Sequence, residues 1–107
     1  MSDNKSLDGR LKLHAWLLEV LGTNNVYFQP PESMKLSYPC IIYRRNRNEM
    51  HHADNKPYKK NMQYEIILVD KDPDSVYLDK LTNLPGIRFD RHYASDNLNH
   101  DVFTIFI

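Results

Sequence analysis

Several groups of residues in this 107-residue chain have types and spacings that could do chemistry. Asp70, Asp72 and Asp74 give D-x-D-x-D, the opening of a calcium-binding loop. The pattern then departs. Ser75 stands where a glycine is wanted, and Leu81 where the bidentate glutamate belongs. Pro73 points instead to the start of a helix. His51-His52 with Asp54, and His92 or His100 with Asp90 or Asp101, are candidate metal ligands. Adjacent histidines on a strand or loop point apart, however, and no H-x-x-x-H or C-x-x-C spacing occurs. Surface or hydrogen-bonded histidine is the simpler reading. Cys40 with a histidine would make a nucleophile and base, but it sits inside an apolar strand, where cysteine behaves as a small hydrophobe. Gly9, Gly22 and Gly86 are isolated, so no glycine-rich loop can cradle a phosphate. The expectation is no catalytic centre, no metal and no cofactor.

The elements that would position these residues follow from periodicity. Met62, Tyr64, Ile66 and Leu68 alternate with Asn61, Gln63 and Glu65, so this stretch predicts a half-buried strand with its apolar set on one face. Ile67 and Val69 make the second face apolar at its far end, which predicts cover on both sides there. The period then changes. Asp72 can cap a helix, Pro73 suits its first turn, and Asp74 favours the positive end of the dipole. Tyr77, Leu81 and Leu84 follow at helical spacing until Pro85-Gly86. A further strand is expected from Ile87 to Tyr93, a turn at Ser95-Asp96-Asn97, and a closing strand from His100 to Ile107.

Upstream, residues 1–5 are polar and expected to lack order, and residues 6–107 form one domain. Ser6 or Asp8 can open a helix running to Leu21, with Gly22 as its stop. Asp8, Lys12 and Glu19 make a polar stripe on it. Leu13, Trp16, Leu17 and Val20 flank the stripe on one side; Leu11, Ala15 and Leu18 flank it on the other. That apolar arc is wider than packing on one sheet requires. Either the helix is deeply buried in its own domain, or one flank meets a neighbouring subunit. Asn25 to Phe28 reads as a short strand ended by Pro30-Pro31. Tyr38 to Arg45 is the next, with Pro39 marking an edge or a strand beginning.

Asn46 to Pro57 then separates this strand from the one at Tyr58, as a hairpin with a projecting polar loop. Arg44, Arg45, Arg47, Lys56, Lys59 and Lys60 stand there against Glu49 and Asp54, a local basic excess of four. Such an arm could track a nucleic-acid backbone, or its like charges could keep the hairpin from pairing edge to edge. Docking on another protein surface is the favoured reading.

The fold class expected is α+β: a mixed or mostly antiparallel sheet, an N-terminal helix and a second helix packed on it, and the long hairpin. Fourteen basic and fourteen acidic residues leave no net charge, which argues against a general nucleic-acid binder; no specific nucleic acid is expected as a partner, and a small nucleic-acid-associated domain is the less favoured alternative. A lone cysteine fits a reducing cytoplasm. No run of about 18 apolar residues offers a membrane span, and Lys12, His14 and Glu19 interrupt the N-terminal apolar segment, so no signal peptide is expected.

Larger pieces carry a resemblance. FDRHY at Phe89–Tyr93, DNLNHD at Asp96–Asp101 and VDKDPDS at Val69–Ser75 are its most distinctive parts. The N-terminal helix followed by VYFQPP at Val26–Pro31, and then Tyr38-Pro39, adds to it. From about Leu7 to Ile107 the chain resembles the small tail completion, or tail terminator, proteins of long-tailed bacteriophages, also labelled minor capsid or head–tail joining proteins. The resemblance implies a virion structural protein with helices packed on a mixed sheet and no active site. It implies a ring, commonly a hexamer, that stops tail-tube growth and offers the surface for head attachment. Its partners would be further copies of itself, the tail-tube protein and head–tail connector proteins, in a virion assembled in a bacterial cytoplasm. The same small fold serves terminators, head-side connectors and tube proteins. The candidate interface is then Leu11, Trp16 and Leu18 on the helix, with Arg44, Arg45, Arg47, Met50, His51, His52, Lys59 and Lys60 on and beside the arm.

Overall fold

The computed structural model describes residues 5–46 and 62–107. In chain order the elements are α1 (Lys5–Leu21), β1 (Val26–Phe28), β2 (Cys40–Arg45), β3 (Gln63–Asp70), α2 (Leu78–Thr82), β4 (Ile87–Ser95) and β5 (Leu98–Phe106). The expected α+β class is the one observed. The five strands lie in the order β1-β2-β3-β5-β4. β1 runs parallel to β2 and every other pair is antiparallel, so the sheet is mixed. No described helix is long and apolar enough to cross a membrane.

Side-chain alternation sorts the sheet into two faces. Ile41 and Tyr43 of β2, Tyr64, Ile66 and Leu68 of β3, and Phe103 and Ile105 of β5 face the helices. Leu13, Leu17, Val20 and Leu21 of α1 and Leu81 of α2 complete this main core. Met62 and Tyr77 pack at its edge, as the strand register required. The other face holds a smaller cluster of Cys40, Ile67, Val69 and Val102, with Tyr27, Leu36, Ile42 and Leu98 around it. The second apolar face at Ile67 and Val69 is thus real, but a loop covers part of it, not a helix.

Four sequence expectations are corrected. Helix α1 begins at Lys5, so Ser6 and Asp8 lie inside it; Asp8 is in the first turn, where its carboxylate meets the positive end of the dipole. Asp72 does not cap α2. The helix starts later, after Tyr77, which makes no side-chain cap bond. Asp70 and Asp72 instead accept the backbone N–H groups two residues on, at 3.1 and 2.9 Å. Such side-chain turns compete with helix formation. Strand β5 opens at Leu98, two residues before His100, because Asp96 and Asn97 both adopt positive φ (54° and 64°) and close a two-residue hairpin. Finally, a bulge between Phe89 and Arg91 breaks the alternation of β4.

The chain end is paired on both sides. Phe106 N–H donates to Gly86 O, and Met62 and Ile107 exchange two backbone bonds of 3.2 and 3.0 Å. β5 is therefore an inner strand, and the long strand β4 is an edge.

Candidate functional site

The predicted interface residues divide among three places. Arg47, Met50, His51, His52, Lys59 and Lys60 lie outside the described residues. On α1, Leu11 is 52% exposed, while Trp16 and Leu18 pack against the main core. Lys12 sets its ammonium 5.3 Å from the centre of the Trp16 ring, a cation–π contact at the surface. Leu11, with Leu7 one turn earlier and Ala15 one turn later, is left as an exposed apolar flank on the helix. Arg44 and Arg45 are brought together at the end of β2, on the margin of a groove that the sequence did not reveal.

That groove lies on the face of the sheet away from the helices. Its floor is Ile42, Ile67 and Val69, three residues of the smaller cluster. One wall is the loop after β1: Pro30, Pro31, Met34, Leu36 and Tyr38. The other wall is Tyr93 of β4 lying on His100 of β5, ring centroids 4.5 Å apart and 7° from parallel. The open groove offers about 580 Å³, in the range of sites that take a peptide side chain or a small molecule. Met34, Tyr38 and Tyr93 are exposed there.

A polar row crosses the same face two residues along from the apolar floor. Register sets Arg44 beside Glu65, Glu65 beside Thr104 and Thr104 beside Arg88. Arg44 Nε meets Glu65 Oε1 at 2.8 Å, and Arg88 Nε meets Asp90 Oδ1 at 3.1 Å. Thr104 donates its hydroxyl to Asp90 Oδ2 at 2.6 Å. The two ion pairs are largely exposed and add little stability. The Thr104 bond is part-buried and matters more, because Thr104 itself is buried and a buried hydroxyl needs its partner.

The other chemistry-bearing residues are used structurally. Cys40 is fully buried, and burial pushes its thiol up to about 11, so it keeps its proton at neutral pH and is a poor nucleophile. His92 Nδ1 lies 2.7 Å from Asp101 Oδ1, and the buried carboxylate fixes the ring. Among the described residues no group of three His, Cys, Asp or Glu side chains could hold a metal ion. Under α1, His14 Nδ1 and Tyr43 Oη share a 2.7 Å hydrogen bond, and Arg10 stacks 4.4 Å over Phe28. Desolvation, helped by the Arg10 charge, lowers the His14 pKa; burial raises that of Tyr43.

The chain matches no protein-family model, no curated protein and no solved structure. What it offers a partner must therefore be read from its own surfaces. Among the described residues, apolar surface is exposed on the Leu7–Leu11 flank of α1 on the helix side and in the groove on the opposite face, with Val76, Phe89 and Phe106 exposed elsewhere.

Proposed function

We propose that the chain is a self-assembling virion subunit that forms a ring at the head-proximal end of a phage tail, ends tail-tube growth and presents the head-joining surface. Two things support the reading. One is the likeness of the chain to tail terminator proteins from Leu7 to Ile107, whose implied fold class is the class observed. The other, which carries it, is the pair of exposed apolar surfaces on opposite faces of one small domain. A single such surface suits a dimer. Two different ones suit a subunit with a neighbour on each side. The near-zero net charge fits contact with protein better than with a nucleic-acid backbone.

The test is a nonsense mutation of the gene in the phage that carries it, read by electron microscopy of the lysate. The terminator role predicts tails of uncontrolled, greater length and heads without tails. Tails of normal length that remain unjoined would instead assign the head-side connector role. Normal joined particles would overturn both.

A further inference from the structure

Among the described residues β4 is an edge of the sheet, with no strand beyond it. Each of its residues from Arg88 to Ser95 is exposed. An edge of that length offers unpaired backbone N–H and C=O groups to another strand. The β4–β5 ladder shows which groups these are. At one end Gly86 O accepts from Phe106 N–H; at the other the two-residue turn closes on the Ser95–Leu98 pair. In an antiparallel ladder, residues turn their backbone groups alternately toward and away from the partner. Counted from both ends to the bulge, Ile87, Phe89, His92 and Ala94 turn theirs away from β5.

A bulge normally blunts an edge, because it breaks the phase of the strand. Here Ile87 and Phe89 lie on the helix side before the bulge, packed on the main core and on Phe103, and His92 and Ala94 lie on that side after it. Arg88 and Asp90 lie on the groove side before it, beside Thr104, and Arg91 and Tyr93 after it. A regular strand laid along β4 is therefore in phase with one half and out of phase with the other.

A second copy of β4 carries the same bulge. Laid antiparallel about a two-fold axis at the bulge, it sets Asp90 opposite Arg91, Phe89 opposite His92, Arg88 opposite Tyr93 and Ile87 opposite Ala94. Both members of every pair then share a face. The residues with free backbone groups also meet one another, Phe89 with His92 and Ile87 with Ala94, on both sides of the axis. One register thus satisfies side-chain phase and backbone pairing together. Like charges are nowhere directly opposed, and the exposed Phe89 ring gains a cross-strand neighbour. We propose that β4 pairs with β4 of a second copy in this register, joining the two sheets edge to edge. The contact is isologous and links copies in twos. It uses neither the groove floor nor the α1 flank, and it does not rest on the ring reading. A ring built through those other surfaces would be joined to a second ring, and a chain with no other contact would be a dimer.

The test begins with Ala94→Pro, which removes an outward N–H and leaves the β4–β5 ladder its bonds. Light scattering on a sizing column should give half the mass of the parent assembly, with an unchanged circular dichroism spectrum. Register is read separately by cysteine cross-linking. Arg88 and Tyr93 are exposed, and between copies they form a pair whose backbone groups point inward, the kind with the closest side chains. An equimolar mixture of Arg88→Cys and Tyr93→Cys should give a disulfide-linked dimer on air oxidation, with Cys40 buried in both. Neither variant alone should, because like positions lie about 17 Å apart along the strands. A mixture that does not cross-link, or single variants that cross-link as readily, overturns the register; if Ala94→Pro does not fold, this result alone decides. A parent assembly whose mass Ala94→Pro leaves unchanged removes the pairing and keeps the ring reading. A parent that stops at a dimer and becomes a monomer with Ala94→Pro supports the pairing and removes the ring reading. A parent that is monomeric at every concentration removes both.

Discussion

Phe89 and Tyr93, four residues apart on β4, point to opposite faces of the sheet. Phe89 packs edge-on against Phe103 in the helix-side layer, with ring centroids 5.4 Å apart. Tyr93 lies on His100 and forms a wall of the groove. A regular strand would put both on one face. The extra residue between Phe89 and Arg91 reverses the alternation. The groove thus depends on a local irregularity of an edge strand.

Asp90, at that bulge, accepts the buried Thr104 hydroxyl at 2.6 Å. Asp90→Ala strands the hydroxyl and should cost about 1–3 kcal/mol, the usual penalty for a buried polar group left unpaired. Adding Thr104→Val removes the other partner and should recover most of the loss. Urea unfolding of the two single variants and the double variant measures the coupling. Additive losses would show that the bond contributes nothing.

Gly86 and Gly22 both have positive φ, 76° and 77°, but differ in their surroundings. A Cβ at Gly86 would sit 2.6 Å from the backbone oxygen of Phe106, whereas one at Gly22 meets nothing within 4 Å. Gly22→Ala should cost on the order of 1 kcal/mol, the conformational penalty alone. Gly86→Ala should cost more, because the β4–β5 pairing must also shift. Equal losses in thermal unfolding would contradict the close approach.

His14 gives a pH dependence with a defined sign. Its pKa in the folded chain lies below the ordinary value of 6.5, through desolvation and the Arg10 charge. Between those two values the unfolded chain binds more protons, so stability falls as pH drops below about 6.5 and is fully regained above it. His14→Gln should flatten this part of the stability–pH curve relative to the parent. Unfolding at pH 7 and pH 5 for both proteins tests it, and parallel curves would contradict it.

Cys40 should be protected from a thiol reagent at pH 7.5 in the folded chain and react at once in denaturant. Its side chain is fully buried, and burial holds its pKa near about 11. Rapid stoichiometric labelling of the native protein would mean that the second face of the sheet opens readily.

The main core was legible in the sequence because its signal is periodic. Tyr64, Ile66 and Leu68 alternate, Leu13, Leu17 and Val20 recur at helical spacing, and burial rewards both patterns. The groove was not legible. It needs Ile42, Ile67 and Tyr93 on one face, brought together by strand order and a bulge that leave no periodic trace. The start of α2 was misread for a different reason. Asp-Pro-Asp is a good helix opening, yet the carboxylates of Asp70 and Asp72 turned to the backbone two residues on, and the helix was delayed to Leu78. Of the α1 residues expected at an interface, Leu11 is exposed, and Trp16 and Leu18 are partly buried against the domain's own core.

The most direct test of the central claim, that this chain is a ring-building subunit, is its native mass across a hundredfold range of concentration, followed by negative-stain imaging of the heaviest species. The account predicts one closed oligomer, several times the 12.7 kDa of the chain, seen end-on as a ring. A 12.7 kDa monomer at every concentration would contradict it, as would an assembly that stops at a dimer.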